Sequence, residues 1–221
     1  DKKTLILQTP LPHFPSIGIY DFDPKLPKKA TPITGKVDLE EDGANLAIVI
    51  KRIISRPSAR KQLADLFKDL LPFISNVDIE KFSDRSLLFK LKEIYFKDRT
   101  LPASSLSDGT INVAALIVAL FFEHSLFTVI EEPERNIHPS LISKVASMMK
   151  EAALNKQIVV TTQNAEFVKH AGIESLLFVS RDKQGFSEIY RPGERENVRA
   201  FLRNEIGIEE LYIQNLLGAS A

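Results

Sequence analysis

Phe127-Thr128-Val129-Ile130-Glu131-Glu132-Pro133-Glu134 is an apolar strand that runs straight into acid. β-branched and aromatic residues favour extended backbone, and a proline three residues past the apolar run ends it. In an open α/β sheet the ligand sits beyond the carboxyl ends of the strands, so two glutamates there face a ligand. A Mg-nucleotide site needs such a pair. The first acid stands beside Mg²⁺ or one of its waters, and the second accepts a proton from the water that attacks the γ-phosphate. A strand that merely closes in an acidic turn would carry the same letters, so the neighbouring stretches have to decide.

Downstream, Pro139 to Ala153 reads as a helix with proline in its first turn. Its apolar face is Leu141, Ile142, Val145, Met148 and Met149, the periodicity of packing rather than of a membrane surface. Gln157 to Thr162 is a second strand, ending in Thr161-Thr162-Gln163-Asn164, hydroxyls and amides on the same edge of the sheet as the acids. Ala165 to His170 is a short helix, Leu176 to Ser180 and Phe186 to Tyr190 form a hairpin, and Glu194 to Arg203 and Ile208 to Leu217 are closing helices. Strand, helix, strand, helix, strand predicts a parallel sheet with crossovers.

Upstream, Thr110 to Phe122 is a helix with almost no charge, hence buried. Leu106-Ser107-Asp108-Gly109-Thr110 leads into it. A serine and a glycine at a helix start offer a hydroxyl, amide N–H groups and the positive end of a dipole, the parts of an anion site. An ordinary Ser cap followed by glycine has the same residues. Further upstream, Ala44 to Ile54 reads as a helix. Leu63, Leu66, Phe67, Leu70 and Leu71 make one face of another, ended near Pro72. Val77 to Phe82, Leu87 to Lys92 and Glu93 to Lys97 are strands of a small antiparallel unit. The proline-rich start holds short strands at Thr4 to Gln8 and Ile17 to Phe22. The parts divide as 1–36, a remnant of an N-terminal lobe; 37–105, a helical and antiparallel insertion; and 106–221, a C-terminal lobe.

Composition narrows the classes. The 221 residues carry 29 basic and 29 acidic side chains, so no global field advertises nucleic acid. Without cysteine there is no disulfide and no Cys-ligated metal, which suits a reducing interior and leads to an expectation of a cytoplasmic protein. The longest apolar run, Val113 to Phe122, is too short to span a bilayer. His13, His124 and His170 have no metal spacing with acids, and His138 shapes the turn before Pro139. Lys25, Lys28 and Lys29 form a solvated loop.

Order and spacing join the three stretches. A serine-glycine helix start is followed about 25 residues later by the acidic strand, and about 30 further on by the polar strand end. Leu106-Ser107-Asp108-Gly109-Thr110 resembles the signature motif of RecF/SMC-like AAA ATPases. Glu131-Glu132-Pro133-Glu134-Arg135-Asn136-Ile137-His138-Pro139 is similar to their Walker B and D-loop, and Asp42-Gly43-Ala44-Asn45-Leu46-Ala47 to a stretch they carry before a helical lobe. The resemblance covers about residues 17 to 217. It implies an α/β P-loop NTPase fold of the ABC ATPase kind, here its C-terminal lobe: a parallel sheet with flanking helices plus a helical and antiparallel insertion. It implies ATP and Mg²⁺ as cofactors, with Glu131 on the magnesium side through water and Glu132 as catalytic base. Ser107 and Gly109 would contact the γ-phosphate of a nucleotide held by a second head, away from the acidic strand end of their own subunit. Glu134, Arg135 and Asn136 would line the seam of an ATP-dependent homodimer, and Gln163 would stand where the family places its switch histidine. The implied work is an ATP-gated dimerisation switch in DNA repair or phage defence, with DNA as a further partner and no membrane. A non-hydrolysing nucleotide- or partner-binding module is the alternative that Gln163 favours, since an amide cannot become cationic near neutral pH. The ATPase part of an overcoming-lysogenisation-type nuclease is another, and needs a Toprim domain downstream.

Two departures stand out. Glu131 replaces the commoner aspartate, and the sequence contains no Gly-x-x-x-x-Gly-Lys-Ser/Thr phosphate loop. The nearest match, Ala30 to Val37 with Gly35-Lys36, lacks the first glycine and the Mg-binding hydroxyl. A Walker A segment is therefore expected before Asp1 or on another chain, and this chain alone is expected to be inactive. Gln8, after an apolar strand, is a weak candidate for a magnesium-contacting glutamine.

Overall fold

The computed structural model describes residues 17–33, 36–96, 99–182, 184–194, 196, 198 and 207–214. The strand expected at Thr4–Gln8, Gln8 itself, His13, Gly35 and most of the helix expected over Glu194–Arg203 lie outside them. In chain order the elements are β1 (Ile17–Tyr20), β2 (Thr31–Pro32), α1 (Leu46–Ile54), α2 (Pro57–Leu70), β3 (Ile74–Ser83), β4 (Ser86–Glu93), β5 (Leu101–Pro102) and α3 (Asp108–Phe121). Then follow β6 (Phe127–Glu131), α4 (Pro139–Ala152), β7 (Gln157–Thr161), α5 (Ala165–Ala171), β8 (Phe178–Arg181), β9 (Ser187–Tyr190) and α6 (Ile208–Ile213).

The middle of the chain builds an antiparallel sheet. β4 pairs with β3 on one edge and with β2 and β5 on the other. The third strand expected at Glu93–Lys97 does not form over its described residues, 93–96: the chain turns at Ile94–Tyr95, and the short β5 and the distant β2 take that edge instead. Leu87, Phe89 and Leu91 alternate along β4 and are fully buried, beside Ile74 and Val77 of β3. They join one core with Leu46, Val49, Ile50 and Ile53 of α1 and Leu63 and Phe67 of α2. Burying each such side chain contributes about 1.5–3 kcal/mol before entropy is counted. The Asp42-to-Ala47 stretch is the corner that starts α1. Asp42 Oδ1 accepts from the Ala44 amide at 2.9 Å, and Gly43 takes φ +77°. Asn45 is buried, accepting from the Glu40 amide at 2.8 Å and donating to the Asp38 carbonyl at 2.8 Å.

The parallel sheet has the order β1-β6-β7. Its third strand therefore comes from the far upstream β1 and not from the strand after α5, which folds back on β9 as a separate hairpin. Every residue of α3 from Thr110 to Leu120 is buried, as its uncharged sequence requires. Lys156 closes the far end of that helix, donating to the carbonyls of Ala119 (3.2 Å) and Glu123 (3.0 Å). On the sheet's inner side, Tyr20, Thr128 and Ile130 are buried, and Ile158 and Val160 pack on the same core as α3 and α4. The outer side is different. Ile19, Val129 and Val159 stand in one register row, with Ile19 51% and Val159 39% exposed. Parallel sheets are normally covered on both faces.

Candidate functional site

The acids lie where the strand pattern put them. Glu131 is the last residue of β6, paired in register with Thr161 at the end of β7. It is exposed and makes no ion pair among the described residues. Glu132 turns the chain out of the sheet with φ +39°, a conformation that non-glycine residues seldom adopt. Its amide still donates to the Thr161 carbonyl at 2.9 Å, so the turn is tied to the tip of β7. Four residues on, Asn136 is the other non-glycine residue with positive φ among the described residues, +63°.

Between them Arg135 folds back. Its Nε and Nη2 each lie 3.1 Å from Glu132 Oε2, and its Nη1 donates to Asp21 Oδ1 at 2.8 Å. Asp21 follows β1 directly and is held by its amide donating to the Glu41 carbonyl at 3.0 Å. Burial opposes the charge on Arg135, but the hydrogen bonds with Glu132 and Asp21 outweigh it and hold the guanidinium above its ordinary pKa. All three side chains are more than a third exposed, and such pairs contribute about 0–1 kcal/mol, so this cluster orients Glu132 without locking it.

Glu134, expected at a dimer seam with Arg135 and Asn136, is instead buried within its own chain. Its Oε1 accepts from Thr162 Oγ1 at 2.5 Å. Burial pushes its carboxyl above the usual range, and the Thr162 bond and its own amide offset that only in part. Arg135 is half-buried and Asn136 exposed. Gln163 sits just past β7 with its side chain exposed, and its carbonyl accepts from the Tyr212 hydroxyl at 3.2 Å.

Ser107 caps α3: its Oγ accepts from the Thr110 amide at 3.1 Å and lies 2.8 Å from the Thr110 hydroxyl. Gly109 is not remote from the acidic turn. A Cβ placed on it would come within 2.4 Å of the Asn136 carbonyl oxygen, so only glycine lets the helix lie on that backbone. Three residues on, Asn112 Nδ2 donates to the Arg135 carbonyl at 2.6 Å. The start of α3 and the turn after the acids are thus one packed unit. Lys28, read as a solvated loop lysine, pairs with Asp108 in the same corner. His138 caps α4, with Nδ1 accepting from the Ser140 amide at 3.2 Å. Asp21 and Asn112 are not singled out by the sequence, and Thr162 shows there only as one of the hydroxyls at a polar strand end. The only signal for them was their place beside the motifs, and none of the three has a spacing of its own.

Among the described residues no group of three or more His, Cys, Asp or Glu could cage a metal, and no helix is long and apolar enough to cross a membrane. Mg²⁺ usually binds through one or two carboxylates plus substrate phosphates, and the unpaired Glu131 suits that habit.

Comparison with known proteins bears on the family and the fold. One solved structure, from work on ATP-driven dimerization and DNA-stimulated activation of SMC ATPases, superposes with a TM-score of 0.53 at 16% identity. The match covers 72% of this chain and 96% of that one, so the fold is similar to that of an SMC ATPase head. The Smc head domain with a coiled coil and joint from Pyrococcus yayanosii scores 0.49 at 20% identity, covering 66% of this chain and 28% of that one. The SMC head domain from Thermotoga maritima scores 0.45 at 15% identity, covering 66% and 51%. No curated protein matches. A family model described as "AAA domain, putative AbiEii toxin, Type IV TA system" matches residues 2–169. The chain belongs to that AAA-domain family.

Proposed function

We propose that this chain forms the acidic and signature half of an ATP-hydrolysing head that works as an ATP-gated dimerisation switch. One observation carries the reading: Glu131 and Glu132 emerge from the middle strand of a parallel sheet, with Gln163 at the tip of the strand beside it. Glu132 is the general base for the attacking water, and Gln163 donates an amide hydrogen bond toward the phosphate that leaves. Glu131 would hold the nucleotide's Mg²⁺ through water. When bound, that ion neutralises developing charge on the phosphates. For Glu132 to act, its carboxylate has to leave the Arg135 contact, which the modest strength of that pair allows.

The bare outer row of the parallel sheet and the edge of β7, unpaired among the described residues, support completion by a segment that carries a phosphate loop. Ser107 is exposed at the start of a helix buried from Thr110 to Leu120, and this supports contact with a nucleotide on a second head. Its hydroxyl and the nearby amides would add charge-assisted hydrogen bonds to that phosphate. Because Gly109 rests on Asn136, the same contact would be felt at Arg135 and Glu132. The non-hydrolysing alternative draws on the Arg135–Glu132 pair and on Gln163.

The test is Glu132→Gln in the full-length protein. Turnover falls by about 10²-fold or more while Mg-ATP still binds, since a general base contributes roughly that much. Light scattering on this variant shows dimers with Mg-ATP and monomers without, and adding Ser107→Arg abolishes the dimers. Unchanged hydrolysis removes Glu132 from its role, and equal dimer content with and without nucleotide ends the switch.

A further inference from the structure

We propose that Glu134 is a positioning residue: acting through Thr162, it braces the Thr162–Asn164 segment and so sets where Gln163 stands relative to Glu132. The proposal deepens the ATPase reading above and rests on it. Glu134 leaves the acidic turn inward, only 9% exposed, and its Oε1 accepts the Thr162 hydroxyl at 2.5 Å. The same hydroxyl oxygen accepts from the Asn164 amide at 3.0 Å. Asn164 Oδ1 in turn accepts from the amides of Glu166 and Phe167, at 2.9 and 3.1 Å, and caps α5. One line of hydrogen bonds therefore runs from the acidic turn, past Gln163, into the next helix. On the other side of Gln163, the Glu132 amide holds the Thr161 carbonyl. Gln163 is thus clamped before and behind, with both clamps anchored in the turn that carries Glu132.

A carboxyl is a costly strut. Burial raises its pKa, and its second oxygen, Oε2, is buried without a partner among the described residues. An unpaired buried oxygen costs stability, which marks a group kept for what it places rather than for what it packs.

The test uses the full-length protein with E134A, E134Q, T162V, T162S and Q163A. E134A and T162V each lower kcat roughly tenfold to a hundredfold with KM for Mg-ATP unchanged, because a small misplacement near the chemistry can cost that much. E134Q and T162S, which keep the acceptor and the hydroxyl, recover most of the loss. The double variant E134A/T162V falls no further than either single one, and E134A adds nothing in a Q163A background. Hydrogen exchange over 162–167 speeds up in E134A and T162V but not in E134Q or T162S. If E134A does not fold, T162V against T162S carries the test. An E134A loss of equal size with and without Gln163 overturns the proposal, as does unchanged exchange. Active wild type, dead E132Q and intact E134A defeat this inference alone. A full-length protein that never hydrolyses ATP defeats it together with the reading beneath it.

Discussion

Phe89 on β4 and Val159 on β7 are both apolar strand residues, yet Phe89 is wholly buried and Val159 is 39% exposed. The antiparallel unit around β4 has both edges paired and its apolar side sealed by α1 and α2. The parallel sheet around β6 has one face in the core and the other open, with its acids at the rim. Where apolar surface is fully covered, side chains answer to packing. Where a sheet keeps a bare face next to a turn with two positive non-glycine φ angles, side chains are not set by packing alone, and backbone of this kind is what the proposed site would use.

The sharpest way to break this contrast is to cut both halves. Phe89→Ala should cost about 3–5 kcal/mol in urea unfolding, the usual penalty for an emptied aromatic site. A cost near zero would mean the antiparallel unit is not the stable half. Gly109→Ala comes next, at about 1–3 kcal/mol, because the new Cβ forces the Asn136 backbone to shift. In the full-length protein it should also slow ATP turnover through Arg135 and Glu132. A variant as stable and active as wild type would uncouple α3 from the turn.

Tyr20 lies between the two regions, on the buried side of β1. Burial, and then the charge of Glu123, push its phenol from 10.0 to about 12. With a folded-state pKa above the unfolded one, its contribution to stability is complete below pH 10 and drains away as pH rises through about 12. Ultraviolet titration should show Tyr20 ionising late, a step that Tyr20→Phe should remove. The smallest effect belongs to Val159→Ala, within about 0.5 kcal/mol in this chain by itself. A clearly larger cost would show that the outer face is already covered.

Much of the framework of the candidate site was legible because its signals are local. The strand into Glu131 and Glu132, the proline opening α4, the Ser107 cap and the uncharged α3 each follow from a few adjacent letters. What stayed hidden depends on register across long separations. Arg135 reaches Asp21 over 114 positions, and Glu134 reaches Thr162 over 28. Glu134 reads as a surface acid in any local window, and only the fold turns it inward. The edge of β4 misled for the same reason. Leu101–Pro102 and Thr31–Pro32 are two-residue strands with no periodicity to read, whereas Ile94-Tyr95-Phe96 looks like a strand and is a turn.

The open edge of β7 has a practical side for anyone who handles this chain in a tube. Its outer amides and carbonyls have no strand against them among the described residues, and the apolar row of Ile19, Val129 and Val159 runs up to that edge. An unprotected edge of this kind recruits the nearest available strand, and in a concentrated solution that strand belongs to another copy. Precipitation that grows with concentration, relieved by a charged residue at Val159, is the colloidal signature of such an edge.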